Sequence, residues 1–342
     1  MNARRSVPLI AASIAIILLG ALAARAPVEE PAVIKPRASF PYSVPLLCMA
    51  VSPDGKAVAY RDNTGTHVWD VATGKRTATL IGKPGKDEPG ALSLVYRPDG
   101  KVLAVGSAHR KGGEVRLFDL ATGKFTQLKP FGGAVKALAF TADGAFLATS
   151  AAYTDDTIWD TKTGKAVTTF RGPVRGGAGE WVAFSPQEKT LVVASRVRVE
   201  VWDRAIGKRL KWFEPKQQQF NTNSCLITPD GKTCFQGGSL DRKALVRVWD
   251  VDTGKQRGTL EGHKGTVWSL ALSPDGKVLA TGAEDTVRLW DLETLKCLAV
   301  LEGHTGQIHK LAFNADGHVL ASGCRFDRTL KAWNVPPLKR RK

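Results

Sequence analysis

Cysteine, histidine and acid are in short supply in this chain. Five cysteines in 342 residues exclude a dense disulfide scaffold, and an odd number leaves at least one thiol without an intramolecular partner. The six histidines, His67, His109, His263, His304, His309 and His318, form no His-x-His or His-Glu-x-x-His set, and no Cys-x-x-Cys accompanies them. That excludes the usual metal-ligand spacings, so neither a metal nor a cofactor is expected. No nucleophile elbow and no oxyanion-hole glycine motif is present. Acids number 32 against 49 lysines and arginines, a net charge of +17. Such a balance favours solubility and anionic partners and says nothing about fold. With 43% hydrophobic and 24% charged residues, the composition excludes a disordered or collagen-like chain.

One long uncharged run is present. It extends from Ser6 to Ala24 and follows Arg4 and Arg5. A basic start before an apolar stretch is how a translocon receives a chain. Ala21-Leu22-Ala23 offers a small-x-small cleavage site, yet the run approaches the roughly 20 residues that span a bilayer. Residues 1–26 are therefore expected to be a signal peptide or a single transmembrane anchor, with a buried helix as the remaining reading. Either main reading places the rest outside the cytoplasm, periplasmic or secreted, or held at the membrane by this segment. Residues 27–37, with their prolines and mixed charge, read as a linker leading into a closing strand. Residues 337–342 form a basic tail.

What fills the chain between is one unit repeated seven times. Ser52-Pro53-Asp54-Gly55 recurs at residues 97–100, 141–144, 185–188, 228–231, 273–276 and 314–317, with Gln187-Glu188 replacing Asp-Gly once. Proline presets φ at the first turn position and glycine accepts positive φ at the last. Apolar, β-branched runs flank each turn, so each is a hairpin tip. Downstream come Trp69-Asp70, Phe118-Asp119, Trp159-Asp160, Trp202-Asp203, Trp249-Asp250, Trp290-Asp291 and Trp333-Asn334, spaced by 41 to 49 residues. A Thr-Gly-Lys turn follows at Thr73, Thr122, Thr163 and Thr253. Each unit thus reads as four strands, a to d. Strands such as Val278-Leu279-Ala280 and Leu311-Ala312-Phe313 are apolar on both faces, which requires cover on both sides. Four-stranded sheets stacked around an axis supply it, provided the array closes.

These residues, together with Gly262-His263 and Gly303-His304, closely resemble the WD40 repeat family, in particular its bacterial exported or membrane-anchored members. The resemblance covers residues 38–336 and implies an all-β, seven-bladed propeller, non-catalytic and monomeric. The last unit lacks its own strand d. Aligning the turns puts about Val33 to Ser39 in that register, so this segment is expected to supply the outer strand of blade seven, with Pro36 tolerable at an edge.

The resemblance also implies a buried hydrogen-bond chain of His263, Thr281, Asp285 and Trp290 in blade six, and of His304, Ser322, Asp327 and Trp333 in blade seven. A His-Ser-Asp set invites a hydrolase reading, but here its role is to hold a loop on its blade and to satisfy an indole N–H. Blades one to five lack the Gly-His pair, and position 42, which aligns with His263, is Tyr42; apolar packing is expected to hold these blades. By the same resemblance, the head of strand a meets ligands on the top face: Leu47, Leu92, Lys136, Glu180, Asn223, Trp268 and His309, with Glu284 and Phe326 before the tetrad acids. Trp268, His309 and Phe326 make a candidate aromatic anchor set. The plainer reading packs Trp268 on the adjacent blade.

Between Arg171 and Lys216 ten basic residues face five acidic ones. Arg171, Arg175, Arg196, Arg198 and Lys216 mark this basic sector, either a polyanion-binding flank or a solvated one. Cys225 and Cys234 sit at apolar positions and read as buried thiols, with a cross-strand disulfide as the alternative. The expected function is a WD40 scaffold for protein–protein interaction outside the cytoplasm. Nucleic acid is excluded as a partner by the export signal. The alternatives are an exported propeller enzyme, hydrolase or oxidoreductase, and a polyanion- or glycan-binding module.

Overall fold

The computed structural model describes residues 31–42, 46–62, 64–81, 90–109, 112–128, 132–152, 154–170, 181–185, 188–194, 198–214 and 220–336. Segments 1–26 and 337–342 lie outside them. Among the described residues no helix is long and apolar enough to cross a membrane.

Two short strands come first, β1 (Ala32–Ile34) and β2 (Ala38–Pro41). Blade one is β3 (Cys48–Val51), β4 (Ala57–Asp62), β5 (Gly65–Asp70) and β6 (Arg76–Ile81). Blade two is β7 (Gly90–Tyr96), β8 (Val102–His109), β9 (Gly112–Asp119) and β10 (Phe125–Gln127). Blade three is β11 (Val135–Phe140), β12 (Phe146–Ala151), β13 (Asp156–Asp160) and β14 (Ala166–Phe170). Blade four is β15 (Trp181–Phe184), β16 (Thr190–Ala194), β17 (Val199–Asp203) and β18 (Arg209–Phe213). Blade five is β19 (Asn221–Ile227), β20 (Thr233–Leu240), β21 (Lys243–Asp250) and β22 (Gln256–Glu261). Blade six is β23 (Ser269–Leu272), β24 (Val278–Gly282), β25 (Thr286–Asp291) and β26 (Cys297–Glu302). Blade seven takes β27 (Ile308–Phe313), β28 (Val319–Cys324) and β29 (Thr329–Asn334) from the end of the chain and β2 from its start.

The repeated turns do what their residues allow. Gly55 takes φ +68° and donates its N–H to the Ser52 carbonyl at 2.9 Å. Asp54 accepts the Ser52 hydroxyl at 2.6 Å and the Lys56 N–H at 3.0 Å. Where glycine is replaced, Glu188 adopts φ +55° itself. After each Trp-Asp, the aspartate tightens the next turn, as when Asp70 accepts the Thr73 N–H at 2.7 Å. The Val71 N–H reaches the Lys56 carbonyl at 2.7 Å, so both turn types lie at one end of the blade.

The innermost strands follow one another around the axis, and β27 returns to β3. Each blade interface holds its own apolar cluster. Val58, Tyr60 and Phe40 meet Val319 and Leu330 between blades seven and one. Val278 and Leu289 meet Leu320 and Trp333 between six and seven. Each β-sheet is covered on both faces, as its two-sided apolar strands require.

Closure differs from the sequence expectation in register. The strand completing blade seven is Ala38–Pro41, antiparallel to β29 with Phe40 opposite Leu330. Val33 and Ile34 instead belong to β1, which runs parallel to β26 as a fifth strand of blade six. The stretch 27–37 is thus not linker throughout. The reason lies in Pro36, which offers no N–H for a ladder. It sits beside Gly303, while the next N–H, on Arg37, reaches the Ala332 carbonyl at 2.8 Å. The chain steps from one blade rim to the next at that proline.

Gly133 precedes β11 and runs against the neighbouring backbone. A β-carbon there would meet the Ala152 carbonyl oxygen at 1.7 Å. Gly133→Ala should therefore lower stability by about 1–3 kcal/mol. The urea midpoint is the measurement, and an unchanged midpoint would mean that this loop relaxes at no cost.

Candidate functional site

Blade seven carries the complete tetrad. His304 Nε2 lies 2.7 Å from Ser322 Oγ, and its Nδ1 lies 2.7 Å from Asp327 Oδ2. The Trp333 indole donates to Ser322 Oγ at 2.7 Å. Ser322 and Trp333 are fully buried and His304 is buried. Burial holds the His304 imidazole below its usual range, so it is neutral at pH 7. Burial alone would raise Asp327, but hydrogen bonds from His304 and Thr329 hold it well below the usual carboxylate range. A serine closed off from solvent and already bonded to an indole meets no substrate, so this is not a hydrolase triad.

Candidate ligand atoms of His304, Cys324 and Asp327 lie within 4.8 Å of one another. His304 Nδ1 and Asp327 Oδ2 are bonded directly to each other at 2.7 Å.

Blade six departs from expectation. His263 Nε2 approaches Thr281 Oγ1 at 2.5 Å, and the Trp290 indole reaches the same oxygen at 2.8 Å. His263 Nδ1, however, faces Thr286 Oγ1 at 3.5 Å. Among the described residues Asp285 makes no hydrogen bond to the ring. The Arg288 guanidinium lies against Gly262 beside this ring. Burial, then Arg288, push the His263 pKa down to about 3.

The other blades use apolar packing. Trp69 packs on Phe40, Trp202 on Phe170 and Trp249 on Phe213, with ring centroids 5.7, 5.8 and 5.9 Å apart. Each phenylalanine comes from the outer strand of the preceding blade. Blades six and seven have leucine there, Leu260 and Leu301. Blade three keeps half a tetrad, with the Trp159 indole donating to Thr149 Oγ1 at 3.0 Å.

Blade one adds a polar network that motif reading missed. His67 Nε2 lies 2.8 Å from Thr64 Oγ1, His67 Nδ1 lies 3.1 Å from Thr79 Oγ1, and Asp62 accepts the Thr64 hydroxyl at 2.6 Å. The available signal was a histidine two residues before Trp69, hence on the same strand face. Tyr42 donates to the Cys324 carbonyl across the closure.

The top-face candidates are aimed by a shared device. Ladder register shifts fall at Leu92, Lys136, Asn223 and His309, one extra residue near the head of each strand. A bulge re-aims the side chain it carries. Lys136 is exposed, and Leu92, Asn223 and His309 are half-buried. Leu47 instead turns onto the core between blades one and two. Glu180 lies outside the described residues, as do Arg171, Arg175, Arg196 and Lys216.

Blades six and seven bring three of these residues together. The Trp268 and His309 rings lie 5.0 Å apart at 32°. Glu284 accepts the Trp268 indole N–H at 3.2 Å. Burial, then Arg325 and Lys310, lower the His309 pKa, so the ring is neutral at pH 7. Phe326 is 61% exposed beside Gly306. Among the described residues no ring contact joins it to the pair. Trp268 therefore does pack on the adjacent blade, which leaves it only partly buried.

Cys225 and Cys234 are buried free thiols with sulfurs 3.6 Å apart. Arg198 stacks over Trp212 at 4.9 Å and bonds Glu214 at 2.5 Å.

A ring of seven blades, six four-stranded and one five-stranded, closed by a strand from the start of the chain, defines a seven-bladed β-propeller. Two of its units, residues 254–291 and 295–334, match the family model for the WD domain, G-beta repeat. Each matched unit is staggered by one strand, beginning with the outer strand of one blade and ending with the inner three of the next. The chain is 32% identical over 156 residues to an uncharacterized WD repeat-containing protein of Synechocystis, covering 46% of this chain and 43% of that one. It is 24% identical over 205 residues to autophagy-related protein 16 of Arabidopsis thaliana, 58% and 38% respectively. A serine-threonine kinase receptor-associated protein of Gallus gallus is 27% identical over 223 residues, 64% and 58%. The matches span less than two thirds of each relative's length.

Proposed function

We propose that this chain is a non-catalytic protein-interaction scaffold that engages its partner at the top of blades six and seven, outside the cytoplasm. WD-repeat propellers in general mediate protein–protein contact, and fold alone fixes no chemistry. The observation carrying the site is the Trp268–His309 pair, with Trp268 tethered by Glu284 and Phe326 exposed nearby. Aromatic groups fixed in place offer contact area at low entropic cost. Arg4 and Arg5 before the uncharged run Ser6–Ala24 support export or anchoring.

Crosslinking and pull-down from the native host test the site. Trp268→Ala should weaken partner capture at least tenfold, the scale of an interface hot spot. Equal recovery of the same partners by both proteins would remove the site. Cell fractionation tests the location, and a purely cytoplasmic chain would overturn it.

A further inference from the structure

We propose that the outer rim of blade four is a second docking surface, where an extended acidic and apolar segment of a partner protein adds as a strand to β18. Exposed apolar area points there first. Ile206, Leu210 and Trp212 are 71%, 54% and 52% exposed, within seven residues of chain. The cluster is unlike single exposed hydrophobics, which are ordinary on any surface.

An open ladder lies beside it. β18 ends the sheet order of blade four, and no described strand pairs with its outer edge. The molecule itself shows that a blade rim accepts a further strand, because β1 pairs in parallel with β26, the equivalent strand of blade six. Other rims are less suited. β10 has three residues, β2 ends in Pro41, and β22 carries Gly258 at its centre.

Charge selects the occupant. Lys208, Arg209 and Lys211 interleave with Leu210 and Trp212 along the strand. From 198 to 214, five basic residues face three acidic ones. Glu200, almost fully buried, accepts Arg209 at 2.9 Å, and Lys211 reaches Asp252 at 2.5 Å. Lys208 is exposed. A second copy of β18 would set lysine and arginine against lysine and arginine, which disfavours self-pairing. A strand alternating glutamate with isoleucine places acids beside Lys208 and in competition with Glu200 and Asp252 for Arg209 and Lys211, and apolar groups on Leu210 and Trp212. Ladder hydrogen bonds supply affinity and alternate side chains supply selectivity.

The test uses the full chain and a labelled ten-residue peptide of alternating glutamate and isoleucine. A second peptide has the same side chains with alternate amides N-methylated, so it cannot form a ladder. Binding of the first, at least tenfold weaker for the second and for Leu210→Lys/Trp212→Lys, is expected. Amide exchange should slow at residues 209–213 on binding. Val167→Lys, on the neighbouring rim, and Trp268→Ala should both bind as the parent does; the latter separates this surface from the top-face site. Equal binding of both peptides, or no binding, would overturn the proposal. So would recruitment to phosphatidylserine vesicles lost in Leu210→Lys/Trp212→Lys without peptide binding, which marks a membrane surface. Concentration-dependent dimers lost in that variant would mark self-association and overturn it equally.

Discussion

Phe40→Ala should cost about 3–5 kcal/mol, the usual range for emptying a large buried aromatic site. Phe40 is 1% exposed and packs on Trp69 of blade one while its own strand completes blade seven. One side chain thus joins the two ends of the ring. Its loss opens a cavity on both blades and weakens a strand of only four residues. Deleting residues 31–42 should do more. It removes β1, β2 and Tyr42, uncovers Leu330 and Ala332, and leaves the β29 edge without a ladder. Thermal melting is the measurement. The deletion should lower the midpoint by roughly 10 °C or more, and Phe40→Ala by less. A deletion that melts with the parent would mean the ring is held by its blade interfaces alone.

The repeat count, hairpin tips and closure by the first strands were legible because their residues are physically constrained. A glycine at φ +68° and a proline before it leave few alternatives. The closing register was not legible. Counting from turns placed Val33 to Ser39 in blade seven, and only packing distinguishes Phe40, which is buried, from Val33, which is 58% exposed. β1 is a three-residue parallel strand and carries no periodicity to read.

The same boundary runs through the candidate site. His304, Ser322, Asp327 and Trp333 assemble as the resemblance to WD40 repeats implies. His263 does not take Asp285; its Nδ1 faces Thr286 on strand β25 instead. Strand-head positions 92, 136, 223 and 309 fall at bulges, where a fixed offset from the turn locates them. Position 47 obeys the same offset, but Leu47 is apolar and finds a core. The phenylalanine substitutes for the tetrad could have been found in the sequence: Phe40, Phe170 and Phe213 each lie at or next to the end of a strand d.

Acid should unfold this propeller from blades six and seven. An unfolded histidine titrates near 6.5, whereas His263 in the fold titrates at about 3. Between those values the unfolded chain binds the proton and the folded chain does not. Stability from this group is therefore fully present above pH 6.5 and lost as pH falls toward 3. At about 1.36 kcal/mol per pKa unit, the full loss is on the order of 5 kcal/mol. His304 is also held below its usual value and adds in the same direction. Asp327, held below its usual range, extends the loss below pH 4. By pH 4.5 about two of those pKa units have been crossed, so urea midpoints at pH 7.5 and pH 4.5 should show roughly 2.7 kcal/mol from His263, to which His304 adds. His263→Gln should lower the midpoint at pH 7.5 by removing the bond to Thr281, at about 1–3 kcal/mol. It should also flatten the pH dependence by nearly one proton. Asp327→Ala leaves His304 Nδ1 buried without its partner and should cost a similar amount at neutral pH. An acid limb as steep in His263→Gln as in the parent would show that blade six admits the proton without unfolding.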